Sequence, residues 1–401
     1  MVPDRTDWLL IGQFVFSSLA ALLLVGFFLA STLSALFQDL ASLGGLPIER
    51  DFSPYLFAAG LGAMGLLMVF PAAYAARRLF GNRPPRQLKW ERFTWISYLL
   101  PLPFLLGFGA LNGPDWAGIL LPLAHVLANT AGVFFLLDTA QRKLPAGSGV
   151  RFWGAFGTGL GLTPLVAFIL EALLLAGIGL VWVLMTGLVP AFRQDLLDLA
   201  AHLQQFSGNM QSLQRALGRF AARPAVLVTL FTYIAVLIPI LEEILKPAAV
   251  WLLLGRKLQS REGFLLGATS GAGYALFENL TIGAAAGDWI VVAVTRMGTA
   301  GVHIFTAGLM GWGLASAFSD KKYGRLGGAF LGAVALHGLW NGLNILTALS
   351  GFTAVRDQLG PFGARLGDYA PAALVLLALG CLWGLIRANS VFRRDIIAES
   401  T

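Results

Sequence analysis

Long apolar stretches separated by shorter polar segments run through the whole chain. Ten of them are long enough to cross a bilayer, which takes about 20 apolar residues in a helix. They cover residues 8–36, 54–76, 93–112, 117–138, 164–189, 225–254, 263–286, 289–318, 326–349 and 370–387. A backbone in lipid must satisfy its own hydrogen bonds, so each stretch is expected to be a helix. The pattern predicts an all-α protein, a polytopic transmembrane helix bundle of about ten spans.

One segment between the spans follows a different pattern. From 192 to 220, large apolar residues recur at alternating spacings of four and three, which is typical of a heptad seam on a helix. Ser207, Gly208 and Asn209 interrupt the seam, and they either divide it into two surface helices or weaken one long helix. We expect an extracytoplasmic amphipathic helical segment that covers the bundle, with a substrate-gating lid and a dimerisation seam as the alternatives.

These patterns divide the chain into four regions. They are an N-terminal region of five spans (1–190), the amphipathic segment (191–224), a core of four spans (225–350), and an outer loop, last span and tail (351–401). The first stretch is too long for the core of a signal peptide, so we expect it to be retained. Most of the polar groups that lie within spans fall in the third region, which is the predicted catalytic core.

Composition excludes a soluble protein. Hydrophobic residues make up 57% of the chain and charged residues only 12%, against about 25% charged residues in soluble domains. The mean hydropathy is +0.74. Cys381 is the single cysteine, which excludes an intrachain disulfide and a cysteine-based metal cluster.

The distribution of basic residues predicts the orientation. One alternate set of loops, together with Arg5 and the C-terminal tail, holds 19 of the 28 Lys and Arg, and the other set holds 7. By the positive-inside rule both termini are cytoplasmic, in a multi-pass protein of the cell membrane. The net charge of +7 then reflects topology, so we expect the lipid bilayer and no nucleic acid as a partner. We find no sign of an obligate protein partner.

Four consecutive spans each carry one polar cluster. These are Glu242, Glu243 and Lys246; Glu278 with Asn279; His303; and His337 with Asn341. Charged groups near a bilayer centre cost about 3 kcal/mol each even on lenient scales, so several at one depth indicate function. Counted from the predicted cytoplasmic ends, the clusters lie roughly 16 to 23 Å into the membrane. They predict an active site within the bilayer.

Local spacing adds detail around the glutamate pair. Lys246 lies four residues after Glu242, which predicts an ion pair along one helix face. Pro239 and Pro247 bracket the pair, so the helix is expected to be distorted on both sides of it. Such distortion would admit water.

Other polar residues within spans are interpreted as structural, and small residues as packing positions. Arg296 lies seven residues past the predicted outer end of its span, close enough for its side chain to reach the interface. Close helix contact is predicted by Gly267, Gly271 and Gly273 in one span and Gly308, Gly311 and Gly313 in the next.

Two kinds of chemistry suit these residue types. A carboxylate in a low-dielectric cavity can act as general base on water while His and Asn donate to an oxyanion, which hydrolyses a peptide bond without a covalent nucleophile. Alternatively, His303, His337 and Glu278 hold a divalent metal such as zinc, with water in the open position. Neither a His-Glu-x-x-His helix nor a cysteine set favours zinc further.

Two classes without proteolysis remain as alternatives. An ion transporter would use the same buried groups as relays, although the sequence shows no inverted repeat of broken helices. A membrane scaffold would keep the histidines for packing and would have little need for the glutamate pair.

The order of the motifs resembles the PrsW family of intramembrane proteases. Glu-Glu-x-x-Lys, Phe-Glu-Asn, an isolated His and His-x-x-x-Asn follow one another on successive spans, over about 225–350. That family belongs to a wider group with the CAAX prenyl endopeptidases and the scaffold subunit of gamma-secretase. The resemblance implies an endopeptidase acting on a membrane-anchored protein, with site-one cleavage of an anti-sigma factor as a candidate role.

The resemblance also implies roles for individual residues. Glu242 and Glu243 would be essential, one of them activating water, while His337 and Asn341 would stabilise the oxyanion. The CAAX-type pattern carries a histidine in its second motif where this chain has Phe-Glu-Asn at 277–279. His303 is the residue that would take its place.

Overall fold

A computed structural model describes residues 5–42, 52–81, 94–145, 147–204, 210–255, 258–281 and 288–400. Within these ranges the chain is helical and contains no strand, which confirms the all-α prediction. The α-helices are α1 (Arg5–Ser42), α2 (Ser53–Phe80), α3 (Thr94–Tyr98), α4 (Pro101–Asn112), α5 (Leu121–Gln141), α6 (Gly149–Gly157), α7 (Thr163–Leu188), α8 (Pro190–Gln204), α9 (Met210–Ala221), α10 (Pro224–Thr232), α11 (Ile238–Leu245), α12 (Ala248–Trp251), α13 (Ser260–Thr281), α14 (Trp289–Asp320), α15 (Tyr323–Leu349) and α16 (Thr353–Ser400). A 3₁₀ helix covers Asp115–Leu120, and π-helical turns cover Thr158–Leu162 and Tyr233–Leu237.

Eight helical segments among the described residues are long and apolar enough to cross a membrane, which confirms a multi-pass protein. The predicted stretches 93–112 and 263–286 lie outside this set. In the first, α4 has only 12 residues. In the second, α13 is 22 residues long, but its glycine, serine, threonine and glutamate residues lower its hydropathy.

The chain separates into two compact units. Unit 1 comprises Met1–Pro164, Ile244–Ala333 and Gly380–Thr401, and unit 2 comprises Leu165–Glu243 and Val334–Leu379. The division falls within α11, directly after the glutamate pair. The four regions predicted from the sequence remain a prediction.

Helix α13 lies at the centre of unit 1, against α14. A Cβ atom on Gly267 would overlap the carbonyl oxygen of Ala307, so only glycine permits this approach of the two helices. On another side of α13, the π-helical turn Thr158–Leu162 comes equally close, because a Cβ on Gly159 would overlap the carbonyl of Ser270. The predicted close packing of glycine-rich spans is confirmed for α13 and α14.

Buried amide side chains tie further helices of unit 1 together. Gln141 of α5 donates to the hydroxyl of Thr269 at 2.7 Å. Asn389 of α16 donates to the carbonyls of Ala140 and Arg142 at 3.1 and 3.0 Å. Interhelical hydrogen bonds in membrane proteins contribute about 0.6 kcal/mol each, so these bonds set positions more than they supply stability.

Unit 2 contains the predicted amphipathic segment. Two helices occupy it, α8 and α9, while the interruption at 207–209 lies outside the described residues. Trp182 of α7 contacts Phe220 of α9, with ring centroids 6.1 Å apart. A covering role, a lid and a dimerisation seam all remain predictions for this segment.

The helix is distorted on both sides of the glutamate pair, as predicted. The π-helical turn Tyr233–Leu237 precedes α11 and lies next to Pro239, whose ring would clash with the carbonyl of residue 235 in a regular helix. On the other side α11 ends at Leu245, and Pro247 lies in the turn before α12. The pair therefore occupies a short helix of eight residues between two irregular turns.

Candidate active site

The predicted site residues fall into two groups, one in each unit. Unit 2 contains Glu242, Glu243, His337 and Asn341, called here the Glu243 cluster. Unit 1 contains Glu278, Asn279, His303 and Lys246, together with Arg296 and Tyr274, called here the Glu278 cluster.

A buried carboxylate orients the imidazole of the Glu243 cluster. Oε1 of Glu243 lies 2.9 Å from Nδ1 of His337, and the two side chains are 0% and 2% exposed. Because a carboxylate only accepts hydrogen bonds, Nδ1 carries the proton that is donated to it. The other ring nitrogen, Nε2, then holds the lone pair of the neutral ring.

Glu242 faces that second nitrogen across a gap. Its Oε2 lies 3.9 Å from Nε2 of His337, too far for a hydrogen bond. Two acceptors therefore face one another, which is favourable only when something positive or hydrogen-donating lies between them. Two ligands of a tetrahedral zinc ion are about 3.3 Å apart, and two acceptors bridged by one water are about 4.4 Å apart. The observed distance of 3.9 Å lies between these two values.

Glycine allows α15 to approach the π-helical turn closely. A Cβ atom on Gly338 would overlap the carbonyl oxygen of Ala235, so the backbones meet at this point. Gly338 directly follows His337, and the contact fixes the level at which His337 meets Glu243.

Asn341 donates a hydrogen bond to a backbone carbonyl that the distorted helix leaves without a donor. The N–H of Ile238 bonds to the carbonyl of Tyr233, one residue earlier than in an α-helix. In the same pattern the carbonyl of Ile234 would accept from residue 239, but Pro239 has no N–H. The carbonyl of Ile234 therefore lacks a donor from its own helix, and Nδ2 of Asn341 supplies one at 3.0 Å. The oxyanion role implied by the resemblance remains a prediction, and in this conformation the Asn341 amide bonds to the backbone.

The Glu278 cluster contains a second glutamate and histidine pair. Oε2 of Glu278 lies 2.6 Å from Nε2 of His303, and Oε1 lies 3.1 Å from Nη1 of Arg296. The Glu278 side chain is 34% exposed, whereas His303 is buried. The ring of Tyr274 stands edge-on to His303 at 5.4 Å. Since Glu278 bonds Nε2, any metal bound by His303 would be ligated through Nδ1.

Two supporting residues complete this cluster. The buried ammonium of Lys246 lies 5.1 Å above the ring of Tyr274, close enough for a cation–π interaction. Asn279 donates to the carbonyl of Arg296 at 3.2 Å and so links α13 to α14. The ion pair between Glu242 and Lys246 remains a prediction, and α11 ends one residue before Lys246.

The partner of Arg296 was not predicted from the sequence. The position of Arg296 near a span end suggested a side chain reaching the interface, but this side chain forms a salt bridge with Glu278. The sequence does indicate this pairing, because Glu278 lies near the end of α13 and Arg296 lies near the beginning of α14, the next helix. Opposite charges at adjoining ends of consecutive spans are expected to pair.

The donor groups suit a metal of zinc type. In both clusters one imidazole nitrogen bonds a glutamate, the arrangement that orients metal-bound histidines in many proteins. Nitrogen and carboxylate oxygen are both ligands of catalytic zinc. The residues present therefore fit a metal ion.

Comparison with known proteins places the chain in a family. A family model described as PrsW family intramembrane metalloprotease matches residues 151–356, a range that contains every residue of both clusters. No curated protein and no solved structure matches the chain. Because the matched range takes in just over half of its length, the protein is a member of the PrsW family and a multi-pass intramembrane protease.

Proposed function

We propose that this protein is an endopeptidase that cleaves a membrane-anchored protein with a water molecule activated by Glu242. The observation that carries the proposal is the gap of 3.9 Å between Glu242 and Nε2 of His337, with the imidazole held by Glu243. A polar gap of this size between a carboxylate and an oriented ring is suited to holding the attacking water.

The residues then divide the work as follows. Glu242 removes a proton from the water, the hydroxide adds to the peptide carbonyl carbon, and the proton passes to the leaving amine as the C–N bond breaks. Glu243 fixes the tautomer of His337, and Glu278 fixes the orientation of His303. Asn341 keeps α15 in register with the π-helical turn. We retain His303 as a proposed second catalytic group, because the sequence predicts it at the same depth in the membrane.

A metal ion would add to this scheme without changing these roles. When bound, a divalent ion such as zinc supplies a Lewis acid and lowers the pKa of its water. In unit 2 the candidate ligand is Nε2 of His337, and in unit 1 it is Nδ1 of His303. Glu278 is less suited than the sequence indicated, because both of its oxygens are engaged.

We further propose the cell membrane as the location, with both termini cytoplasmic. The distribution of 19 against 7 basic residues among the loops supports this orientation. A single-span protein is the simplest substrate that reaches an active site within the bilayer, and an anti-sigma factor is one candidate of that type.

The test is cleavage of single-span substrates by purified protein, with products mapped by mass. Glu242→Gln is expected to lower the rate of cleavage by about 100-fold or more, while the matched Glu399→Gln, an exposed position in α16, leaves it unchanged. Cleavage by Glu242→Gln at the wild-type rate contradicts the proposal.

Metal dependence is tested separately by elemental analysis and by a strong chelator. Zinc bound at one equivalent and lost in His337→Ala supports the metal-assisted scheme. Metal-free protein whose cleavage resists the chelator and still needs Glu242 supports water activated by glutamate alone.

A further inference from the structure

Unit 1 contains a cavity of about 530 Å³, and its described lining includes no residue of either cluster. Helices α1, α2, α6 and α12 and the π-helical turn at 158–162 contribute its lining. We propose that this cavity binds an anionic phospholipid, with the phosphate at a basic rim and an acyl chain along the apolar wall.

The rim is polar and positively charged. Arg78 comes from the C-terminal part of α2 and Arg151 from the first turn of α6, and both are exposed. Ser148 caps the N-terminus of α6, where its hydroxyl accepts from the N–H of Arg151 at 3.3 Å. Two guanidinium groups beside the positive end of a helix favour a phosphate. Acidic residues are absent from the described lining.

The wall is apolar. It is formed mainly by Leu9, Phe16, Leu162, Leu252 and Leu253. A cavity of this volume lies in the range of pockets that hold small-molecule ligands. An inorganic anion would use the rim but leave this wall unoccupied, which favours a lipid over free phosphate.

The position of the rim matches the lipid headgroups. Arg78, Ser148 and Arg151 belong to the loops that carry the excess of basic residues, on the side predicted to be cytoplasmic. Trp8, also in the lining, is 65% exposed at the same end of α1, and exposed tryptophan is typical of the membrane interface. Basic pockets between spans on this side suit anionic headgroups.

Native mass spectrometry of the whole protein with phosphatidylglycerol, phosphatidylcholine of the same chains, or inorganic phosphate tests the proposal. We expect phosphatidylglycerol adducts that weaken roughly 30-fold in Arg78→Gln/Arg151→Gln, from about a factor of five for each arginine. Arg393→Gln/Arg394→Gln removes the same charge from exposed positions outside the cavity and is expected to change little. Equal losses in both double variants overturn the proposal, as does equal binding of the two lipids.

A second variant tests the apolar wall without touching the charges. Gly12 lines the cavity, and a Cβ there meets nothing within 4 Å, so Gly12→Leu adds apolar volume at a position with open space next to its backbone. It should reduce phosphatidylglycerol binding about tenfold, while Gly109→Leu, equally open but in α4, should not. A response to phosphate alone that matches the response to phosphatidylglycerol, or lipid binding unaffected by Gly12→Leu, shows that no acyl chain occupies the cavity.

Discussion

The two clusters contain the same pair of side chains but differ in charge balance. In the Glu278 cluster, one carboxylate bonds both a histidine and an arginine and is one-third exposed. In the Glu243 cluster, two carboxylates lie around one buried imidazole. Like charges in a poorly solvated place must be offset by a proton or a cation. The Glu278 cluster therefore contains its own cation, Arg296, whereas the Glu243 cluster presents two carboxylates to one ring and bonds the ring through only one of them.

The largest expected effect comes from removing one carboxylate charge in each cluster. Glu242→Gln should lower the turnover of a single-span substrate by about 10² to 10⁴, the usual contribution of a general base. Glu278→Gln should lower this turnover by a factor of about 10 to 100, because the glutamine amide can still bond to the His303 ring but holds it less firmly than the carboxylate does. Rates are measured on protein with unchanged helical content. A larger loss for Glu278→Gln would reverse the assignment of roles.

An intermediate effect is expected for the other glutamate of the pair. In Glu243→Gln the amide oxygen can still accept the Nδ1 proton of His337, so the ring stays oriented but loses its charged partner. Turnover should fall about 10- to 100-fold, less than in Glu242→Gln. Equal, complete losses in both variants would mean that the two carboxylates act as one unit and that the structure does not separate their roles.

Charge balance in the Glu278 cluster is tested by a double-mutant cycle on stability. Arg296→Gln alone leaves a partly buried carboxylate without its cation and should destabilise the protein, whereas adding Glu278→Gln should restore part of the loss. A coupling of about 0.5 to 3 kcal/mol is expected between groups in direct contact. The free energy of unfolding of the wild type and of each variant is measured by reversible unfolding in mixed detergent. Additive effects of the two changes would show that the pair does not balance charge.

From the sequence it was easier to predict which residues belong to the two clusters than which of these residues bond to one another. Pro239 distorts its own helix through local sterics, so the distortion could be predicted. The depth of the clusters in the membrane stays a prediction. The pairing of Arg296 with Glu278 and the choice of Glu243 over Glu242 as the partner of His337 were not predicted. These depend on how each helix is rotated and on close approaches such as that at Gly338. Rotation is set by packing between helices, which a hydropathy pattern does not encode.

The smallest expected effect distinguishes a positioning role from an oxyanion role for Asn341. Asn341→Ala removes the donor to the carbonyl of Ile234, a loss of about 0.5 to 1.5 kcal/mol in unfolding free energy. Because only the register of α15 is affected, turnover should fall less than about tenfold, and the loss should shrink when the protein is assayed at lower temperature. Removing an oxyanion donor costs 10² to 10³ in turnover with unchanged stability. A result of that second kind would place the Asn341 amide on the substrate during the reaction, and would mean that the π-helical turn gives up this hydrogen bond when substrate binds.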